Sequence, residues 1–151
     1  MARLLVVHHT PSPGLHALLD AVRSGATDPS IEGVEVEVRA ALTASAVDVL
    51  EADGYVLGCP ANLGYLAGAM KHFFDTVYYP CLEDTVGRPF GAYLHGNDDV
   101  TGARRALETI TTGLRWQQVA EIVEARGGVD GAARDAAWNL GATVAATLAA
   151  G

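Results

Sequence analysis

Three short stretches hold the residues whose types and spacing suit ligand chemistry. The first, "HHTPSPGLH" (His8 to His16), sets the hydroxyls of Thr10 and Ser12 among prolines that stiffen the backbone, with Gly14 ahead of a helix. Unpaired N–H groups at a helix start attract anions, although Thr10 or Ser12 would serve equally as an ordinary N-cap. The second, "GCPANLGYLAG" (Gly58 to Gly68), places small and turn-forming residues between an apolar strand and an apolar helix. Small residues such as Gly58, Ala61 and Gly64 let the backbone approach a flat ligand, and backbone N–H groups can bond its carbonyls. The third, "HGNDDVTG" (His95 to Gly102), is rich in turn formers and ends on Thr101, a candidate helix cap. By contrast, "AALT" (Ala40 to Thr43) is plain. That asymmetry favours a site built from the other three.

Other chemistry is harder to assemble. His8, His16 and His95 could converge, but no carboxylate or Cys spacing supports a zinc site, and His8 and His9 face opposite sides of a strand end. No metal is expected. There is no GxSxG elbow, and Cys59 leads into a proline with no activating cation nearby. Phosphate motifs of the GxxxxGK[ST] or GxGxxG type are absent.

The elements that must position these loops follow from periodicity. Leu4 to Val7 is a continuous apolar run, as in a strand buried on both faces. Leu15, Leu18, Leu19 and Val22 then recur at helical spacing. "VEVEVR" (Val34 to Arg39) alternates strictly, and a short helix with Val47 and Leu50 follows. "GYVLG" (Gly54 to Gly58) is the third strand, and Met70, Phe73, Phe74 and Val77 stripe the next helix. "PFGAYLH" (Pro89 to His95) is the fourth strand, with the fourth helix over Ala103 to Leu114. "VAEIVE" (Val119 to Glu124) reads as the fifth strand, and an Ala-rich helix from about Asp130 closes the chain.

Five strands alternating with five helices predict an α/β, doubly wound parallel sheet covered on both faces. Strands one, three and four are apolar throughout and belong in the centre, while two and five carry charges and belong at the edges. The order 2-1-3-4-5 satisfies this, and its switch point between strands one and three puts a ligand at their C-terminal ends. All three unusual loops lie there.

A chain of 151 residues is read as a single domain, 1–151. Its formal charge of −8 argues against nucleic acid and anionic membrane as partners, and favours basic partner surfaces. No apolar run approaches the ~20 residues of a membrane span, and "MARLLVVHH" lacks a signal-peptide cleavage site. Two cysteines in no disulfide or zinc pattern suit a cytoplasmic protein. Trp116 and Trp138 read as packing residues, and Tyr78 and Tyr79 as either a packed helix terminus or a pocket rim.

The run "PANLGYLAGAMKHFFD" resembles the second flavin loop and following helix of NADPH-dependent FMN reductases and flavodoxin-like quinone reductases, with Pro60, Gly64, Gly68, Lys71 and Asp75 in that spacing. "GRPFGAYLHG" resembles their Gly-Lys-Pro run into the fourth strand. The likeness, within the flavodoxin-like superfamily, covers nearly the whole chain in element order. It implies FMN as cofactor. The phosphate would lie on the first loop (Thr10, Ser12, Pro13, Gly14, Leu15 and His16). The ring would lie between the second loop (Pro60, Ala61, Asn62, Leu63, Gly64 and Tyr65) and the third (His95, Gly96 and Asn97). No Lys or Arg falls between Arg3 and Arg23, so hydroxyls and amides would meet the phosphate. Lys71, the only lysine, reads as a surface charge.

The chain also departs from the pattern. Pro13, Leu15 and His16 stand where flavodoxins place hydroxyl or amide side chains, and Asn62 where a ring-contacting tyrosine is usual, with Tyr65 three residues later. The implied function is an FMN-dependent oxidoreductase passing electrons from NAD(P)H to a quinone, flavin or similar small acceptor, for which the protein needs no nucleophile of its own. The alternatives are a flavodoxin-type electron carrier and a flavodoxin-like binding module without its cofactor. An apolar third helix with two tyrosines leaves a homodimer open.

Overall fold

The computed structural model describes residues 1–151. Strand β1 (Ala2–His8) is followed by α1 (Pro13–Ala26), β2 (Val34–Ala40), α2 (Ala46–Glu51) and β3 (Gly54–Asn62). Then come β4 (Tyr65–Leu66), α3 (Gly68–Cys81), β5 (Pro89–Gly96), α4 (Thr101–Leu114), β6 (Gln117–Gln118), β7 (Val123–Arg126) and α5 (Gly131–Ala150). The sheet runs β2-β1-β3-β5-β6, with β7 also pairing β5 and β4 folded antiparallel onto β3. All other ladders are parallel. This is the expected doubly wound order, with β5 as its fourth strand and β6 and β7 sharing the fifth position.

The apolar runs are continuous because each central strand feeds two cores. Leu5 and Val7 of β1 face the cluster roofed by α2, α3 and α4, whereas Leu4 and Val6 face the cluster under α1 and α5. Strand β2, with its alternating glutamates, lies at the open edge, as its pattern requires. Trp116 is a core residue: its ring stacks on Tyr55 at 4.1 Å and its Nε1–H donates to Thr85 Oγ1. Trp138 is half-buried on α5. Tyr78 packs on the core beside Gly113 of α4, and Tyr79, edge-on to it, is exposed. No helix is long and apolar enough to cross a membrane.

The fifth strand corrects the sequence reading of Val119 to Glu124. Pairing places Phe90 opposite Gln118 and Tyr93 opposite Val123, so four residues, 119–122, face only two on β5. The surplus bulges away from the ladder. Ile122 is buried in the core outside any strand, which explains the misleading apolar pattern.

Candidate functional site

The first loop ends in a real cap. Ser12 has extended backbone, its Oγ accepts the N–H of Leu15 at 3.3 Å, and Pro13 occupies the first helical position. Its N-cap reading therefore holds, and Thr10 is bonded instead to His8, Oγ1 to Nδ1 at 2.7 Å. Pro11 and Pro13 have no N–H, which leaves those of Thr10, Ser12 and Gly14, and none of the three donates within the protein.

The second stretch is a hairpin where the sequence suggested a loop. β3 runs on through Pro60 to Asn62 and returns as β4, with Asn62 opposite Tyr65. Leu63 and Gly64 form the two-residue turn, with φ of 52° and 75°. Positive φ at both positions is the primed turn that matches strand twist. Glycine suits it, but leucine does not, and Leu63 is fully exposed. Gly58 also needs correction. A Cβ there would overlap the ring of Tyr93 on the neighbouring strand, so its smallness serves packing inside the sheet and not the approach of a ligand.

In the third loop Thr101 does not cap. It is the first residue of α4, the N-cap position belongs to Val100 with no side-chain cap, and Asp99 Oδ1 just ahead accepts the Thr101 N–H at 2.9 Å. The bonds from Thr101 hold the Asp99 carboxyl below the ordinary range. His95 sits at the end of β5, its Nε2 2.6 Å from the Gly127 carbonyl oxygen. The position of a Cβ on Gly14 would lie 3.1 Å from His95 Cε1. The ring thus rests against the bare backbone of the first turn of α1.

These loops meet at the switch point between β1 and β3. A crevice of about 250 Å³ is lined by Pro11, Ser12 and Leu15 from the first loop, Pro60, Ala61 and Asn62 from the second, and His95, Gly96 and Asn97 from the third. On the outer side of the first loop, an open cleft of about 570 Å³ is lined by Thr10, Pro11, Ser12, Pro13, His16, Ala17 and Asp20. Of the residues expected at a site, Gly14 lies under His95, and Leu63, Gly64 and Tyr65 carry the hairpin beyond both cavities. Pro11 was missed although it lines both. Its place between Thr10 and Ser12 was the available signal.

The crevice itself has no lysine, arginine or carboxylate. Lys71 is tied to Asp75 on the exposed face of α3 at 2.7 Å. Burial pushes the Cys59 thiol up to about 12, which makes it a poor nucleophile. No group of three His, Cys, Asp or Glu side chains is placed to hold a metal.

The fold is the flavodoxin-like α/β fold. Over 98% of both chains it superimposes on a flavodoxin, WrbA-like protein from Agrobacterium tumefaciens, with a TM-score of 0.79 at 18% identity. It also superimposes on rubredoxin oxygen:oxidoreductase from Desulfovibrio gigas, with a TM-score of 0.81 at 12% identity, covering 98% of this chain but 36% of that one. In sequence, 77 residues are 38% identical to a flavodoxin of Aquifex aeolicus. That match spans 51% of this chain and 40% of the relative. No protein-family model matches the chain.

Proposed function

We propose that the protein binds FMN at the switch-point crevice and works in electron transfer, taking electrons from NAD(P)H and passing them to a quinone, flavin or similar small acceptor. The observation that carries this reading is the convergence of the three loops in one crevice at the carboxyl ends of β1, β3 and β5. The residues fit the group. The unpaired N–H groups of Thr10, Ser12 and Gly14 and the Ser12 hydroxyl suit a phosphate. Pro60, Ala61 and Asn62, opposite Gly96 and Asn97, offer small side chains and backbone for a flat ring. FMN when bound would supply the hydride and electron chemistry. The chain's own residues would bind, orient and shield it.

A carrier reading has its own support in the −8 charge and the 38% identity to a flavodoxin. Titrating FMN with the protein and following flavin fluorescence tests the shared premise. Quenching at a 1:1 ratio supports it, and none at micromolar protein removes it. Anaerobic NADH or NADPH then separates the two readings. Bleaching of the bound flavin within seconds, reversed by a quinone, marks an oxidoreductase, whereas flavin left oxidised by both nicotinamides marks a carrier.

A further inference from the structure

His95 is the only titratable side chain lining the crevice. Its Nε2 lies 2.6 Å from the Gly127 oxygen, and a carbonyl can only accept, so Nε2 carries a hydrogen. In the neutral ring Nδ1 is then a bare lone pair, and a proton there would give the ring a second donor and a positive charge. Gly14 on one side and the turn at Gly127 on the other hold the ring at the crevice wall.

The protein supplies no counter-charge for that proton. His16 and Asp20 of α1 are both exposed and line the outer cleft instead. After β5, Asp98 and Asp99 are exposed, and Asp99 is bonded to Thr101. On β7, Glu124 is paired with Arg104 and Arg126, and beyond it Asp130 caps α5. From β3 the register partner is Pro60. No ion pair reaches the His95 ring.

We propose that His95 is the proton-linked anion contact of this crevice, taking up a proton at Nδ1 when a phosphate-bearing ligand binds beside Ser12. This rests on the reading that FMN occupies the crevice. It assigns the phosphate a cationic partner in a loop that has neither lysine nor arginine. Binding and protonation then reinforce each other, and affinity depends on pH through one residue.

The test uses the full chain, FMN, and riboflavin as the ligand without a phosphate. His95→Gln is the matched variant, since its amide can still donate to the Gly127 carbonyl but takes up no proton. FMN affinity is measured by fluorescence at pH 6, 7 and 8, and the His95 Cε1–H resonance is titrated with and without FMN. Saturating FMN is expected to move the His95 midpoint up by about one unit, equivalent to a tenfold coupling. The affinity advantage of the wild type over His95→Gln is expected to shrink about tenfold between pH 6 and pH 8, with riboflavin showing no such change. FMN bound with an unmoved His95 midpoint, or with parallel pH profiles for the two proteins, overturns the proton linkage alone. No FMN binding at any pH overturns the crevice reading and this proposal with it.

Discussion

The ring of Tyr93 fills the space that a side chain on Gly58 would need, and the two are register partners across β3 and β5. Tyr93 is fully buried and its hydroxyl has no hydrogen-bond partner. Gly58→Ala therefore overpacks the centre of the sheet and is expected to cost about 1–3 kcal/mol. Combining it with Tyr93→Leu should recover part of that loss. Tyr93→Phe removes only an unsatisfied hydroxyl and should be near neutral. Urea midpoints check all three, and a fully stable Gly58→Ala would show that the ring can yield.

Arg88 closes the far end of the fold. Its Nη1 lies 3.1, 3.0 and 2.6 Å from the carbonyl oxygens of Val49, Leu50 and Ala52, at the end of α2. It also reaches the Tyr55 hydroxyl, while Nη2 donates to Asp84 O. A six-residue helix has few bonds of its own. Arg88→Met should cost roughly 2–3 kcal/mol by stranding these acceptors, and Arg88→Lys should restore only part of it. Ligand affinity should not change, because Arg88 and the end of α2 lie at the amino-terminal ends of β3 and β5, whereas the crevice lies at their carboxyl ends. Denaturation and ligand titration on the same samples separate the two effects.

Leu63 holds a left-handed conformation that asparagine adopts more easily. With no packing to lose, Leu63→Asn should gain about 1 kcal/mol and raise Tm by a few degrees. If that gain comes with weaker FMN binding, the exposed leucine serves the ligand. An unchanged or lower Tm would mean the turn is not strained.

Ser12→Asp distinguishes cap from phosphate contact. Aspartate caps as well as serine, so the apo protein should melt as before. Against a phosphate about 4 Å away, each unit of like charge is worth roughly 4 kcal/mol at an effective dielectric near 20, enough to abolish FMN binding. Wild-type affinity in this variant would place the phosphate elsewhere.

His8 gives stability a pH dependence. Burial first, then the charges of His9, His16 and Arg23, hold its pKa below the ordinary 6.5. Between the lowered value and 6.5 the unfolded chain binds the proton more readily than the folded one. Stability therefore falls as pH drops below about 6.5 and stops falling once the folded pKa is passed. His8→Gln should lose less stability than the wild type between pH 7.5 and pH 5.5 in urea unfolding. Equal losses would assign the acid sensitivity to other groups.

Strand order was legible because burial on two faces and burial on one leave different one-dimensional patterns. "LLVV" could only be central and "VEVEVR" only an edge. The three loops were legible for a similar reason, since turn chemistry is local and proline, glycine, asparagine and hydroxyl residues announce it. The fifth strand was not legible. Ile122 is apolar because it fills the core, yet pairing depends on which groups β5 presents, and two extra residues bulge out between Gln118 and Val123. The purpose of Gly58 was hidden for the same reason. Its partner is Tyr93, 35 positions away, and only the register of β3 on β5 brings them together. His95 could be named from sequence as a crevice residue. Its fixed tautomer and its seat against Gly14 depend on Gly127 and on the first turn of α1, which the sequence alone does not bring near it. Local chain chemistry determined where a site could be built, and long-range packing decided which atoms face it.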